Sequence, residues 1–303
     1  MFDRSELDFE VETQPLTVVL EKKEDNDKVL YSKDMEGQVL VRTDNNTPMN
    51  IVSTNYHPTQ YLTIVDEIEK ALYMSGLNIT DAEFETNVYD GGEKMELIAK
   101  FPNHAENIDD DGLIVPEFKF RTSHNSTWAN NGMMGFHRYS CLNGLVIGNK
   151  LAYVYGRHTK NFDPISFGAK FKTASEYIAS GETINKMRKW YKTKIKRSDI
   201  SNLFCNTLTR RKEKITNKYG YNRNEQANLL NLFDIETNSL AGKGRNNNTA
   251  VEEGSLWTAY QAATHWSTHT VDSKKPHVKR VIREKKVLDM LGSDTWEYLE
   301  VAA

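Results

Sequence analysis

Residues 84–99 read Phe84-Glu85-Thr86-Asn87-Val88-Tyr89-Asp90-Gly91-Gly92-Glu93-Lys94-Met95-Glu96-Leu97-Ile98-Ala99. Phe84, Thr86 and Val88 recur at every second position, the period of a strand with one face on a core. Met95, Leu97 and Ala99 do the same after Asp90-Gly91-Gly92, an Asp-Gly turn of the kind that closes hairpins. The stretch predicts an antiparallel hairpin. The fold class it leads to is α+β: an antiparallel sheet flanked by helices, with a helical C-terminal part.

Working outward from the hairpin, Tyr61, Ile64, Val65, Ile68 and Leu72 recur at helical spacing before a glycine stop at Gly76. Farther upstream, residues 1–56 form an acidic arm with short strands at Pro15–Leu20 and Gly37–Arg42 and a turn at Asn45-Asn46-Thr47-Pro48. Downstream, Ile114–Phe120 reads as a third strand. Met133–Ile147 and Leu151–Tyr155 extend the sheet, with turns at Asn143-Gly144 and Gly148-Asn149. A long helix then follows Asp163-Pro164, with Gly181 a weak point inside an apolar stripe running from Phe171 to Ile195. Residues 57–200 thus make an α+β core ending in a long basic helix. Residues 201–303 make a helical region, with helices near 198–216, 222–234, 253–270 and 276–292 and a mobile loop at 242–249. No internal repeat is present.

The composition, 38% hydrophobic and 27% charged, is too apolar for a disordered chain. No segment approaches the roughly 18 apolar residues of a membrane helix, and the N-terminus lacks a signal-peptide layout. The two cysteines, Cys141 and Cys205, form no CxxC pair, which fits a reducing compartment and small buried side chains. Charge is the informative property. Residues 1–115 carry 9 Lys+Arg against 25 Asp+Glu, and residues 116–303 carry 30 against 17, so −16 and +13 sum to the formal −3. Within 186–223 there are 13 basic and 2 acidic residues. Such asymmetry points to a polyanionic partner, or to an acidic part that covers the basic part within the fold or between subunits.

Catalytic signatures are missing. Gly242-Lys243-Gly244 lacks the spacing of a phosphate loop, and no GxSxG elbow occurs. Asp109-Asp110-Asp111-Gly112 lacks the spaced ligands of a calcium loop and reads as a solvated turn. His265 and His269 share a helix face, and His277 is the nearest further ligand, but packing or capping is the simpler role for all three. No metal site, cofactor or catalytic residue is assigned. The positive signal is the basic middle, where Lys186, Arg188, Lys189, Lys192, Lys194, Lys196, Arg197, Arg210, Arg211 and Lys212 are interleaved with Trp190, Tyr191, Phe204, Tyr219 and Tyr221. Cations track a phosphate backbone and aromatic faces stack on unpaired bases, a pairing suited to single-stranded nucleic acid. The bland alternative is a solvated helix face with its aromatics in the core.

Arg138-Tyr139-Ser140-Cys141-Leu142-Asn143-Gly144-Leu145-Val146-Ile147 resembles the R-x-x-C-x-N-G-L-V signature of a phage and plasmid family known as domain of unknown function DUF932. The segment Ser255–Trp266 resembles that family's C-terminal T-L-W-x-x-Y-N-A-x-T-x-W helix, with Gln261 in place of Asn. The resemblance spans about residues 60–292. It implies a mobile-element origin and carries over no catalytic residue. The element order (helix, antiparallel strands, long basic helix) is also similar to that of Rad-fifty-two-type single-strand annealing proteins, which implies rings and hence a homo-oligomer.

Together these give the expectation of a non-catalytic, phage-type single-stranded-DNA-binding and annealing protein of recombination or replication, in the host bacterium's cytoplasm with no membrane contact. The ten cations named above are its expected phosphate contacts. Two other readings stand beside it. One is a host-directed or anti-defence protein that binds a host protein through its acidic surface, and the other is a metal-dependent nuclease.

Overall fold

The structure is a computed structural model that describes residues 1–24, 27–109, 112–138, 143–146, 153–212, 219–244, 246–269 and 276–301. It is a mixed α+β fold of antiparallel sheets and, among the described residues, eight helices that dominate the C-terminal part. The N-terminal strands are longer than their apolar runs suggest. β1 (Val11–Glu24) and β2 (Asp27–Arg42) form a ribbon longer than the expected strands Pro15–Leu20 and Gly37–Arg42, and β3 (Thr47–Val52) pairs with the base of β2.

Helix α1 (Tyr61–Tyr73) buries Tyr61, Ile64, Val65, Ile68 and Leu72, the stripe read from the sequence. The hairpin follows as β4 (Glu83–Tyr89) and β5 (Lys94–Lys100), with Phe84 opposite Ala99, Thr86 opposite Leu97 and Val88 opposite Met95. Its turn has three successive residues of positive φ, 54°, 70° and 98° at Asp90, Gly91 and Gly92. A side chain at Gly92 would also strike the Phe9 ring at 2.8 Å, so glycine is required there on two counts.

The main sheet is completed by β6 (Glu106–Asp109), β7 (Gly112–Ser123), β8 (Asn130–Arg138), β9 (Asn143–Val146) and β10 (Tyr153–Gly156), in the order β10-β8-β7-β5-β4. β6 prolongs the β5 side of β7, and β9 prolongs the β10 side of β8. Asn143 and Gly144 pair with Arg138 and His137 as strand residues. They are therefore strand and not the expected turn, and the residues between β8 and β9 are 139–142. Those residues, with Cys141, and the expected turn at Gly148-Asn149 lie outside the described residues.

Period-two alternation gives the sheet two unlike faces. Met95, Leu97, Phe118, Phe120, Met134 and Phe136 form the apolar face under α1 and α2 (Pro164–Ala179), with Phe118 on Phe171 and Phe120 on Phe167. Gly168 lets α1 and α2 close up, since a Cβ there would sit 3.2 Å from the Glu67 carbonyl. The other face carries Glu96, Glu117, Lys119, Arg121 and His137, all buried or nearly so.

The expected long basic helix is broken. Gly181 adopts φ 78°, a left-handed conformation that terminates a helix, and the chain restarts as α3 (Glu182–Lys192). It then runs through β11 (Lys194–Lys196) into α4 (Arg197–Asn206). Residues 210–212, expected to be helical, form β12 (Arg210–Lys212) against β13 (Tyr219–Tyr221). Next come α5 (Arg223–Leu240), β14 (Glu253–Ser255), α6 (Leu256–Thr268), α7 (Pro276–Leu291) and α8 (Asp294–Val301), the last without a counterpart in the sequence reading. α6 is buried on almost every side and starts at a reciprocal Ser255–Thr258 capping box. Among the described residues, no helix is long and apolar enough to cross a membrane.

Candidate nucleic-acid interface

The basic middle is organised around β11. Ile195 is buried and pairs with Gly254, so Lys194 and Lys196 on either side of it both point to solvent. Lys189 and Lys192 occupy the last turn of α3, where cations complement the helix dipole. Between this ribbon and the C-terminal end of α5 lies a groove of ≈ 660 Å³ lined by Lys192, Lys194, Lys243, Tyr191 and Asn238, among others. Glu252 and Glu253 line it as well, Glu253 on β14 in register with Lys196. The Gly242–Asn248 loop over the groove is pinned at its far side. The buried Asn238 amide donates to the carbonyls of Asn247 (3.3 Å) and Thr249 (2.8 Å). Lys243 and Asn238 were not singled out by the sequence, whose signal stopped at the cation run.

The ten cations expected to meet phosphate are not one surface. Lys189, Lys192, Lys194 and Lys196 are exposed and make no ion pair among the described residues. Lys186 pairs with Glu300 of α8 at 3.2 Å, and Arg188 with Glu106 at 2.9 Å. Arg197 grips the buried Asp234 carboxylate through two 2.9 Å contacts, and Asp234 also accepts from the Val251 amide at 3.2 Å. Hydrogen bonding to Asp234 raises the Arg197 pKa, so this guanidinium is a clamp between α4 and α5. Arg210, Arg211 and Lys212 lie on β12. β13 beside it leads into the N-terminus of α5, whereas the groove sits at that helix's C-terminal end. The two clusters are roughly 20 Å apart along the helix. The side chains of Arg211 and Lys212 are outside the described residues.

The aromatics divide too. Trp190 is core, packed edge-on against Tyr260 (5.1 Å) and Trp296 (5.2 Å), and its indole N–H donates to Glu300. Phe204 is fully buried. Tyr191 lines the groove, and Tyr221 is exposed opposite Arg210. The Tyr219 side chain lies outside the described residues.

Among the described residues, Arg188–Glu106 is the ion pair that joins the acidic first 115 residues to the 186–223 region. Acidic residues of the N-terminal part pair locally instead, as in Arg4 with Asp66 and Glu69.

The polar face of the main sheet holds a second feature that sequence reasoning missed. Arg121 binds Glu96 through Nε (2.6 Å) and Glu284 of α7 through both terminal nitrogens. Lys119 reaches Glu117 at 2.9 Å, and the His137 Nδ1 lies 3.1 Å from the same carboxylate. Burial alone would raise the Glu117 carboxyl, but Lys119 and His137 outweigh it and hold it at about 2. Glu96 is likewise kept below its ordinary value, chiefly by Arg121 acting against burial. Nothing near these residues in the sequence marks their burial; α7, far away along the chain, pairs Glu284 with Arg121.

The remaining candidates sit apart from both features. Arg138 is fully buried and pairs with Glu236 of α5 at 3.2 Å, an anchor between sheet and helix. Asp109 and Gly112 face each other at the β6–β7 turn, whose residues 110–111 are outside the described set. His265 lies 3.7 Å from Glu236, with the His269 ring 5.1 Å away, whereas His277 stacks on Tyr89 at 4.8 Å. Among the described residues no group of three or more His, Cys, Asp or Glu is placed to hold a metal ion. Cys205 is half-buried in α4, and burial raises its thiol pKa.

In comparisons with known proteins, the model of the family described as "Domain of unknown function (DUF932)" matches residues 48–288. Neither the curated proteins nor the solved structures contain a match to the chain.

Proposed function

The chain belongs to the DUF932 family, and from that premise, which carries no activity, we propose that it is a non-catalytic single-stranded-DNA-binding and annealing protein of phage-type recombination or replication. The observation that supports this is the groove beside β11. Lys192, Lys194 and Lys243 line it together with Glu252 and Glu253, Lys189 and Lys196 stand next to these lysines on α3 and β11, and all five lysines are exposed. Four of these five lysines lie in the basic 186–223 run, and ion pairing within the chain leaves that charge available. The groove is open rather than enclosed, and Tyr191 in its wall offers a ring beside the cations. A polyanion that releases counterions along such a track binds with steep salt dependence.

The reading is tested by titrating the purified chain into labelled single-stranded and duplex DNA over a salt series, then mixing complementary strands. Salt-sensitive preference for single strands with faster annealing supports it. Absence of binding at low salt rejects it and favours the second reading, a host protein partner for the acidic surface of the N-terminal third. Adding magnesium or manganese to the labelled strands tests the nuclease alternative.

A further inference from the structure

We propose that the uncovered part of the main sheet's polar face, between β10 and α7, is a stacking site for unpaired nucleobases. The inference rests on the reading above that the chain binds single strands, and it places base contact apart from the lysine groove. Tyr153 and Tyr155 flank the buried Val154 on β10, so both rings stand on the same face of the sheet. They are 37% and 50% exposed, although each is a large aromatic in a regular strand. Opposite them in register are Met133 and Asn131 of β8. Val281 and Leu288 of α7 form the facing wall of a cleft of ≈ 610 Å³.

The chemistry of the cleft selects its occupant. At the floor, Arg121 is held by Glu96 and Glu284, and Lys119 by Glu117. An anion entering that deep would have to displace a buried carboxylate, so a charged headgroup is excluded. A neutral planar ring fits, because Tyr153, Met133, Val281 and Leu288 give it apolar faces. The Asn131 side chain adds a polar group to the lining. Phosphates would remain outside, where Arg157 and Lys160 follow β10 and Lys285 stands on the α7 rim, all three exposed. Rings on an open sheet face flanked by cations are a general solution for holding splayed bases, largely independent of sequence.

The full-length chain is titrated with oligothymidylate and with an abasic deoxyribose-phosphate strand of equal length. The wild type should prefer the base-bearing strand by about tenfold or more, the scale of one stacked base. Tyr153→Ala and Tyr155→Ala should each remove most of that preference and leave abasic-strand affinity unchanged, while Tyr153→Phe and Tyr155→Phe keep it. Should the alanine variants fold poorly, an iodouracil-substituted strand irradiated with the unmutated chain should crosslink at Tyr153 or Tyr155. Equal affinity for both strands, or crosslinks confined to other segments, overturns the stacking site while the lysine groove stands. Saturable binding of free thymidine at the cleft, with no effect of the tyrosine variants on strand affinity, overturns it in favour of a small-molecule pocket. Failure to bind either strand at low salt removes the single-strand reading and this site together.

Discussion

Arg121 on β7 and Glu284 on α7 face each other across 163 positions of sequence, joined by both guanidinium terminal nitrogens inside the sheet–helix interface. The surrounding charges make the two partners unequal. Three carboxylates (Glu96, Glu117, Glu284) share two cations (Lys119, Arg121). Removing Glu284 leaves a balanced set, whereas removing Arg121 leaves three carboxylates with one cation. Arg121→Met is therefore expected to cost about 3–5 kcal/mol in urea unfolding, the scale for an orphaned buried charge. Glu284→Gln should cost distinctly less. Equal losses would mean that the charge balance is not what matters.

Acid should destabilise the fold in two stages. His124 stacks on Tyr61 at 4.1 Å with neither ring nitrogen hydrogen-bonded among the described residues, and burial pushes its pKa down to about 3. Burial also holds His158 down, at about 4. The unfolded chain binds these protons near pH 6.5, the folded chain well below, so the unfolded state holds more protons in between. Stability therefore falls as pH drops below about 6.5, by up to about 1.4 kcal/mol per pH unit for each histidine. Glu117, held at about 2, adds stability that is complete above its unfolded pKa and disappears as pH falls from about 4.5 toward 2. His124→Phe keeps the ring on Tyr61 and removes one titration. Its unfolding midpoint should fall less steeply between pH 6 and pH 4, and an unchanged slope would refute the assignment.

Gly254 sets the floor of the lysine groove. A Cβ there would lie 2.5 Å from the buried Phe233 ring and 2.7 Å from the Thr237 hydroxyl, so α5 and β14 could not keep their present separation. Gly254→Ala should cost roughly 1–3 kcal/mol, as overpacking does. Because Gly254 pairs with Ile195 between Lys194 and Lys196, strand affinity should fall with it. Thermal unfolding and strand titration on the same variant check both.

Much of this fold is legible in local pattern. The alternation from Phe84 to Ala99 gives the hairpin and its Asp90–Gly92 turn, and the Tyr61–Leu72 stripe gives α1, because each is decided by neighbours two to four residues apart. What escapes is decided at long range. The stripe from Phe171 to Ile195 runs unbroken through Gly181, yet the backbone turns left-handed there and the apolar residues belong to three elements. Lys119 and Arg121 also pair with Glu284 of α7, more than 160 positions away, which no local pattern around Glu117–Arg121 announces. The candidate site suffers in the same way. Six of its ten cations are engaged by carboxylates or sited on β12, away from the groove, and nothing near Arg197 in sequence announces Asp234.

The groove lysines separate a nucleic-acid contact from mere solubility. Lys194 and Lys196 are exposed and project from β11, where only Ile195 packs inward, so Lys194→Glu with Lys192→Glu should leave the unfolding midpoint within about 0.5 kcal/mol of wild type, as for surface changes. Strand affinity should fall steeply. Each lost phosphate contact also lowers the slope of log affinity against log salt by about 0.7 for a single strand. Charge reversal at Arg210 is the internal contrast, since β12 lies at the other end of α5. If the groove carries the strand, Arg210→Glu changes the salt slope little while the Lys192/Lys194 variant reduces it by about 1.4 for two contacts. Equal reductions would place the strand across both ends of α5, and no reduction in either would leave the basic middle a solvated surface.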